Sequence, residues 1–231
     1  MTTTMENAER DRRTQADRRA RSRSALLEAA ARGLSTYGYA NLALQRVASE
    51  AGYTRGALYH QFANKEELAL AVVQWVDETW NAEVGRLAAE EADPVDALIA
   101  IARGHAVYCR RDVARVMMTL KIEFAGQDHP VGRALEEISD RLVADCTGRI
   151  AAGRASGTIP PGPPLQETAR AYLGALSGLV IQLAGHAPFD VELAERAVRG
   201  VLGLPPAPRT TDPQSGGAAT PLADADTEAR R

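Results

Sequence analysis

The sequence predicts an all-α protein, with a three-helix unit at the N-terminus and a larger helical body behind it. Three observations predict it. Alanine, the best intrinsic helix former, is abundant, while aromatic residues make up only 5%. Apolar residues recur at helical spacing along most of the chain, and no stretch alternates as a strand would. Helix start and stop signals fall between the periodic segments.

Residues 1–16 are polar and arginine-rich, with little to bury, and are expected as a disordered basic arm. The first helix is expected over 17–37, where Leu27, Ala30, Ala31 and Leu34 share a face and Gly38 ends the run. A short second helix, 44–51, stops at Gly52. Thr54 caps a third, reaching 62. Asn64-Lys65-Glu66-Glu67 reads as a capping box, with Asn64 the cap and Glu67 the third helical residue. It opens a long fourth helix with Leu68, Ala71, Val72, Trp75 and Thr79 along one side.

Asp93-Pro94 is another start signal, and the helix behind it carries Leu98, Ile101, Ala102, His105 and Tyr108 on one face. Further helices are expected over 112–124 and 130–155, the second with the seam Val131, Leu135, Ile138, Leu142, Cys146 and Ile150. A proline-rich loop at 157–164 precedes two last helices, 165–184 and 190–204. From Pro205 the chain is rich in Pro, Gly, Ala, Thr and Asp and is expected as a disordered tail. The predicted division is thus an arm at 1–16, a helix-turn-helix unit at 17–68, a body at 69–204 and a tail at 205–231.

Charge is unevenly placed. The formal net charge is -3, but residues 1–68 carry +3 and the remainder -6. A basic end on an acidic body suits a chain that meets phosphate at one end only. Cys109 and Cys146 lie far apart and outside any CxxC pattern, too few for a disulfide framework or a zinc site, and they suit a reducing cytoplasm. The N-terminus has no apolar stretch like that of a signal peptide, and the longest apolar run, near 173–184, is broken by Ser177 and Gln182. A cytoplasmic protein without a membrane segment is expected. HExxH, GxSxG and phosphate-cradling loops are absent from the sequence, and its four histidines lack metal-ligand spacing. His105 and Cys109 stand at i and i+4 but have no further Cys, His or acidic support. Neither catalysis, a metal nor a cofactor is therefore expected.

The informative segment is 38–68. Two short helices that cross steeply need a turn residue tolerant of positive φ, here Gly52, and a small residue at their close approach, here Ala48. Val47, Ala51, Leu58 and Phe62 pin both helices to a core, which leaves the outer face of the second helix free for a DNA major groove. Val47, Ala48, Ala51, Gly52, Thr54, Gly56, Leu58, Tyr59, Phe62, Lys65 and Leu68, behind an alanine-rich helix and a Gly-aromatic turn, resemble the TetR (tetracycline-repressor-like) family. The resemblance covers about residues 21–70. The chain departs from it at Leu42-Ala43, where the family often has hydroxyl residues and where Asn41 is the alternative cap. It departs also at Arg46, often acidic, at Gly33-Leu34, usually Leu-Phe, and at Gln61, usually His.

The resemblance implies phosphate contacts from Thr54, Tyr59 and Lys65, and Lys65 stands at a helix N-terminus whose free N–H groups favour an anion. Arg55, Ala57 and His60 project from the recognition helix toward bases, arginine to guanine being the commonest specific contact. Gln45, Arg46 and Gly56 complete the expected DNA face. The arginines of the arm offer a further groove or backbone contact, balanced by four acidic neighbours.

In the body, the resemblance implies a pocket for one small molecule. Trp75, Trp80, His105, Tyr108, Met117, Met118, Glu123, Phe124 and Tyr172 are the candidates, although such residues at helical spacing also serve as ordinary core. The last two helices are expected to pair two chains through Tyr172, Gly174, Leu176, Gly178, Leu179, Leu183, Val198, Val201 and Leu202 in a four-helix bundle. The function expected is a sequence-specific repressor. It would bind double-stranded DNA with inverted-repeat half-sites as a homodimer, and an unidentified small molecule would release it. The alternatives are an activator or multi-target regulator of the same type, and a helical binding protein that no longer reads DNA.

Overall fold

The computed structural model describes residues 2–183 and 186–207, in which every regular element is helical. Helix α1 (Thr2–Tyr37) begins at the start of the chain rather than at 17. Residues 2–16 contain neither Gly nor Pro, the two strongest helix breakers, so a helix can run back through them. Residues 208–231, most of the expected tail, lie outside the described residues.

Helices α2 (Leu44–Glu50) and α3 (Arg55–Tyr59) follow, α3 ending short of 62 with His60 as its C-cap. Helix α4 (Lys65–Trp80) passes through a π-helical turn, Asn81–Gly85, into α5 (Arg86–Ala89), where the sequence suggested one regular helix. Then come α6 (Pro94–Tyr108), a 3₁₀ turn (Asp112–Arg115), α7 (Val116–Glu123), α8 (Pro130–Ser156), α9 (Leu165–Gln182) and α10 (Phe189–Leu202).

The caps form at the residues the sequence marks for them. Thr54 Oγ1 accepts the Ala57 N–H at 3.2 Å, Asn64 Oδ1 that of Glu67 at 2.8 Å, and Asp93 Oδ1 that of Val95 at 2.7 Å. Glu67 reaches back to the Ala63 N–H, one residue earlier than in a standard capping box. Helix α2 starts at Ala43 with no side-chain cap, and Asn41 instead donates to the Tyr37 carbonyl at the end of α1.

Two apolar clusters hold the chain. The first joins Leu26, Leu34, Val47, Leu58, Phe62, Leu68 and Val72 to Val116, Leu120, Phe124, Val131 and Leu135, so the N-terminal helices share their core with α7 and the start of α8. The second packs α6, α8, α9 and α10 around Leu98, Ile150, Tyr172 and Val198. Tyr172 is fully buried, and its hydroxyl donates to the Leu98 carbonyl at 2.6 Å. Arg110 grips the buried Asp190 with two hydrogen bonds of 2.8 and 3.0 Å, which ties α10 to the end of α6 and holds the Asp190 carboxyl below its ordinary range. None of the described helices is long and apolar enough to cross a membrane.

Candidate nucleic-acid interface and ligand cavity

Helices α2 and α3 meet at Gly52, whose φ of 75° reverses the chain after α2. Behind the turn, Val47, Ala48, Leu58 and Phe62 are buried. In front, Gln45, Arg46, Thr54, Arg55, Gly56, Tyr59 and His60 are exposed and Ala57 is half-buried, so the predicted reading residues share one open face. Arg55 crosses the Tyr59 ring, 5.3 Å from its centroid, and donates to its hydroxyl at 3.3 Å. Arg46 lies over Tyr37 and Arg23 over Phe62, so these guanidinium groups are steadied by aromatic faces at the edges of the unit. Gln61 donates to Ser22 on α1 at 3.2 Å, a packing role within the unit.

The departures at Gly33 and Leu42 are one feature. A Cβ on Gly33 would come within 2.7 Å of Leu42 Cδ1, so the buried leucine occupies the room that the glycine vacates.

Lys65 is engaged differently from a free phosphate ligand. Its ammonium donates to the Ala40 carbonyl at 2.9 Å and sits 4.6 Å from the Tyr39 ring centroid. The same turn receives Glu123 from α7, whose carboxylate accepts the Tyr39 and Ala40 N–H groups at 2.5 and 2.6 Å. Gly38 admits it: its φ is 73°, and a Cβ there would stand 2.7 Å from Glu123 Oε2. His129 stacks on Phe124 with centroids 4.3 Å apart and approaches Glu66 at 3.6 Å.

Within the body, a cavity of about 350 Å³ opens between α4, α6, α7, α8 and α9. Met117, Met118, Ile138, Leu142 and Leu173 give it apolar walls, while Lys121 and Arg170 contribute cations. His105 faces it, with Nδ1 accepting from Trp80 Nε1–H at 3.0 Å and Nε2 lying 3.4 Å from Cys109 Sγ. Nδ1 is the acceptor, so the ring proton is on Nε2. Burial lowers the His105 pKa from 6.5 to about 4 and pushes the Cys109 thiol up to about 12. The Tyr108 hydroxyl is bound by Thr79 at 2.9 Å. Among the described residues, no three His, Cys, Asp or Glu side chains gather where they could hold a metal ion.

Residues 26–72 match the family model described as bacterial regulatory proteins, tetR family. The helix-turn-helix of this chain is thus of the TetR type. Its relatives include the A-factor receptor protein of Streptomyces griseus, 33% identical over 110 residues, 46% of this chain and 38% of that protein. The HTH-type transcriptional regulator CymR of Pseudomonas putida is 42% identical over 67 residues, 29% of this chain and 33% of that protein. The matched segments thus span well under half the length of these curated relatives. Solved structures match in fold over most of this chain. AibR in complex with isovaleryl coenzyme A and operator DNA gives a TM-score of 0.68 at 21% identity, over 78% of this chain and 98% of that one. A TetR transcriptional regulator from Chloroflexus aurantiacus gives 0.69 at 21% identity, over 81% and 96%.

The helical body brings only part of the expected ligand set together. His105, Tyr108 and Met117 line the cavity, with Trp80 and Met118. Trp75 packs on the N-terminal core, Phe124 is buried beneath Tyr39 and His129, Glu123 caps the α1–α2 turn, and Tyr172 is inside the second core; these four candidates lie outside the cavity lining. Sequence reasoning missed Lys121, Arg170, Asp77 and Ser139. Each reads as a solvated helix residue, although Lys121 falls one helical turn beyond Met117. The expected pairing face is corrected as well. Tyr172, Leu176, Val198 and Leu202 are buried within the chain itself. Gly174 and Gly178 are exposed, and a Cβ on either would meet no atom within 4 Å. Leu179, Leu183 and Val201 are half-buried, beside the exposed Ile181, Phe189 and Leu193.

Proposed function

We propose that the protein is a transcriptional repressor that binds an inverted-repeat operator as a homodimer in the cytoplasm and leaves it when a small molecule fills the cavity. The observation that carries the reading is the division of the helix-turn-helix: Val47, Ala48, Leu58 and Phe62 are buried, while Gln45, Arg46, Thr54, Arg55, Tyr59 and His60 all stand outside. Such a unit presents one polar helix face of major-groove size. Arg55 and His60 are assigned to base edges. Thr54, Tyr59 and Lys65 are assigned to phosphate, Lys65 with the two ammonium donors that Ala40 leaves unused.

One helix-turn-helix makes too few contacts for tight specific binding, so two chains are required. The exposed residues Gly178 and Ile181 on α9, with Phe189 and Leu193 on α10, are assigned to pairing, because no other described part of the chain covers them. AibR forms a complex with both isovaleryl coenzyme A and operator DNA, which supports a ligand-responsive reading here. The test is fluorescence anisotropy of the full-length protein on its own upstream region against unrelated DNA of equal length. A specific, salt-dependent complex is expected; equal affinity for both fragments overturns the reading.

A further inference from the structure

We propose that the cavity takes a small apolar molecule with an anionic end, and that Lys121 and Arg170 read its charge. The proposal rests on the reading of the cavity as the effector site and names the class of effector.

The walls exclude a strongly polar body. Val76, Met117, Met118, Leu135, Ile138 and Leu142 supply apolar surface, and the ring and hydroxyl groups of His105 and Tyr108 among them are already partnered. The Nδ1 of His105 is taken by Trp80, and the Tyr108 hydroxyl by Thr79. Nothing in that wall calls for a multiply hydroxylated ligand, because donors and acceptors bound to one another gain little from a new partner.

The charges are asymmetric. Among the described residues, Asp77 is the one carboxylate lining the cavity, and Arg141 spans both its oxygens at 2.6 and 2.7 Å. Lys121 is held only by the neutral Ser139 hydroxyl, at 2.7 Å, and Arg170 forms neither a hydrogen bond nor an ion pair among the described residues. Both side chains are exposed on the open side of the cavity, and a ligand that fills it removes part of their hydration with no counter-charge to replace it. An anionic group on the ligand compensates that loss, a neutral one does not, and an ammonium adds repulsion. The positions suit an amphipathic ligand. Lys121 follows Met117 and Met118 along one face of α7, and Arg170 precedes Leu173, Gly174 and Ser177 along one face of α9, so each cation stands at the end of a wall. The volume of about 350 Å³ lies at the small end of the range for ligand pockets.

Octanoate, octan-1-ol and octylamine share one chain and differ in charge. Titrated into the full-length protein and followed by tryptophan fluorescence, for which Trp80 is the reporter in the wall, octanoate is expected to bind at least roughly tenfold tighter than octan-1-ol, with octylamine weakest. Octanoyl-coenzyme A distinguishes a free carboxylate from the phosphates of a thioester carrier; tighter binding by either over octan-1-ol supports the class. Lys121→Met and Arg170→Met, each verified as folded by circular dichroism, are expected to lower the acid-to-alcohol affinity ratio. Equal binding of the three octyl compounds, no binding by any anionic probe, or an unchanged ratio in both variants overturns the proposal. Operator binding is measured in parallel. Charge-selective binding of octanoate that leaves operator affinity unchanged supports the ligand class and overturns the switch, while absence of operator binding overturns the repressor reading alone.

Discussion

The Trp80 indole donates to a histidine ring that burial keeps neutral, and this fixes how His105 responds to acid. The unfolded chain takes up that proton near the ordinary pKa of 6.5, the folded chain only near 4. The unfolded state therefore binds more protons between these values. The contribution is fully present above pH 6.5 and is lost as pH falls toward 4, by an amount on the order of 3 kcal/mol. Urea unfolding at pH 7 and pH 4.5 is expected to show this loss, and His105→Gln to flatten it. A variant with the slope of the parent would place the acid sensitivity elsewhere. On the reading face, Tyr59→Phe removes a hydroxyl assigned to phosphate and is expected to weaken all operator sequences alike. Arg55→Ala removes a base contact and is expected to relax one position by about 1–3 kcal/mol. Selection from a randomised operator library checks both; a consensus unchanged by Arg55→Ala would remove Arg55 from base readout.

Helix α7 joins the two functional regions. Met117, Met118 and Lys121 face the cavity, and two residues beyond Lys121 the Glu123 carboxylate holds the Tyr39 and Ala40 N–H groups at the foot of the reading head. Hydrogen bonds to a charged group contribute about 1.5–3 kcal/mol, less where water competes. Glu123 is half-buried and Ala40 exposed, so Glu123→Ala is expected to cost about 1–2 kcal/mol in urea unfolding, and Glu123→Gln, which keeps an acceptor oxygen, less. Equal stability of the alanine variant and the parent would show that water replaces the carboxylate without loss. The π-helical turn at Asn81–Gly85 lies directly after Trp80, just beyond the residues of α4 that line the cavity. Such turns are rare and recur at functional positions.

Assembly belongs to the whole molecule, and the burial pattern decides which substitution can test it. Leu176 faces the interior at 3% exposure, so Leu176→Asp would bury a charge and unfold the chain rather than separate two chains. A Cβ added at Gly178 would meet no atom within 4 Å, and Ile181 is 57% exposed. Gly178→Leu and Ile181→Asp therefore leave the isolated chain unstrained. Each is expected to give a folded, largely monomeric protein with poor operator affinity. Light scattering with circular dichroism checks this, and a dimer with full affinity would place the interface elsewhere.

By itself, the sequence determined what depends on near neighbours along the chain. The caps at Thr54, Asn64 and Asp93, the turn at Gly52 and the period of the long helices follow from residues a few positions apart, and with them came the helix-turn-helix and its exposed polar face. Residues 2–16 have few apolar groups and read as an arm, while α1 runs back through them. Tertiary structure alone decided which faces of α7, α9 and α10 turn inward. An apolar seam reads the same whether it meets its own chain, a cavity or a second copy, so Tyr172 and Leu176 looked like interface and proved to be core. Charged residues misled in the opposite sense. Lys121 and Arg170 read as solvent-facing and are exposed, yet they also line the cavity, while Glu123 read as a pocket residue and meets the α1–α2 turn, because what a long polar side chain meets is set by helices that pack from far away in sequence, not by its own neighbours.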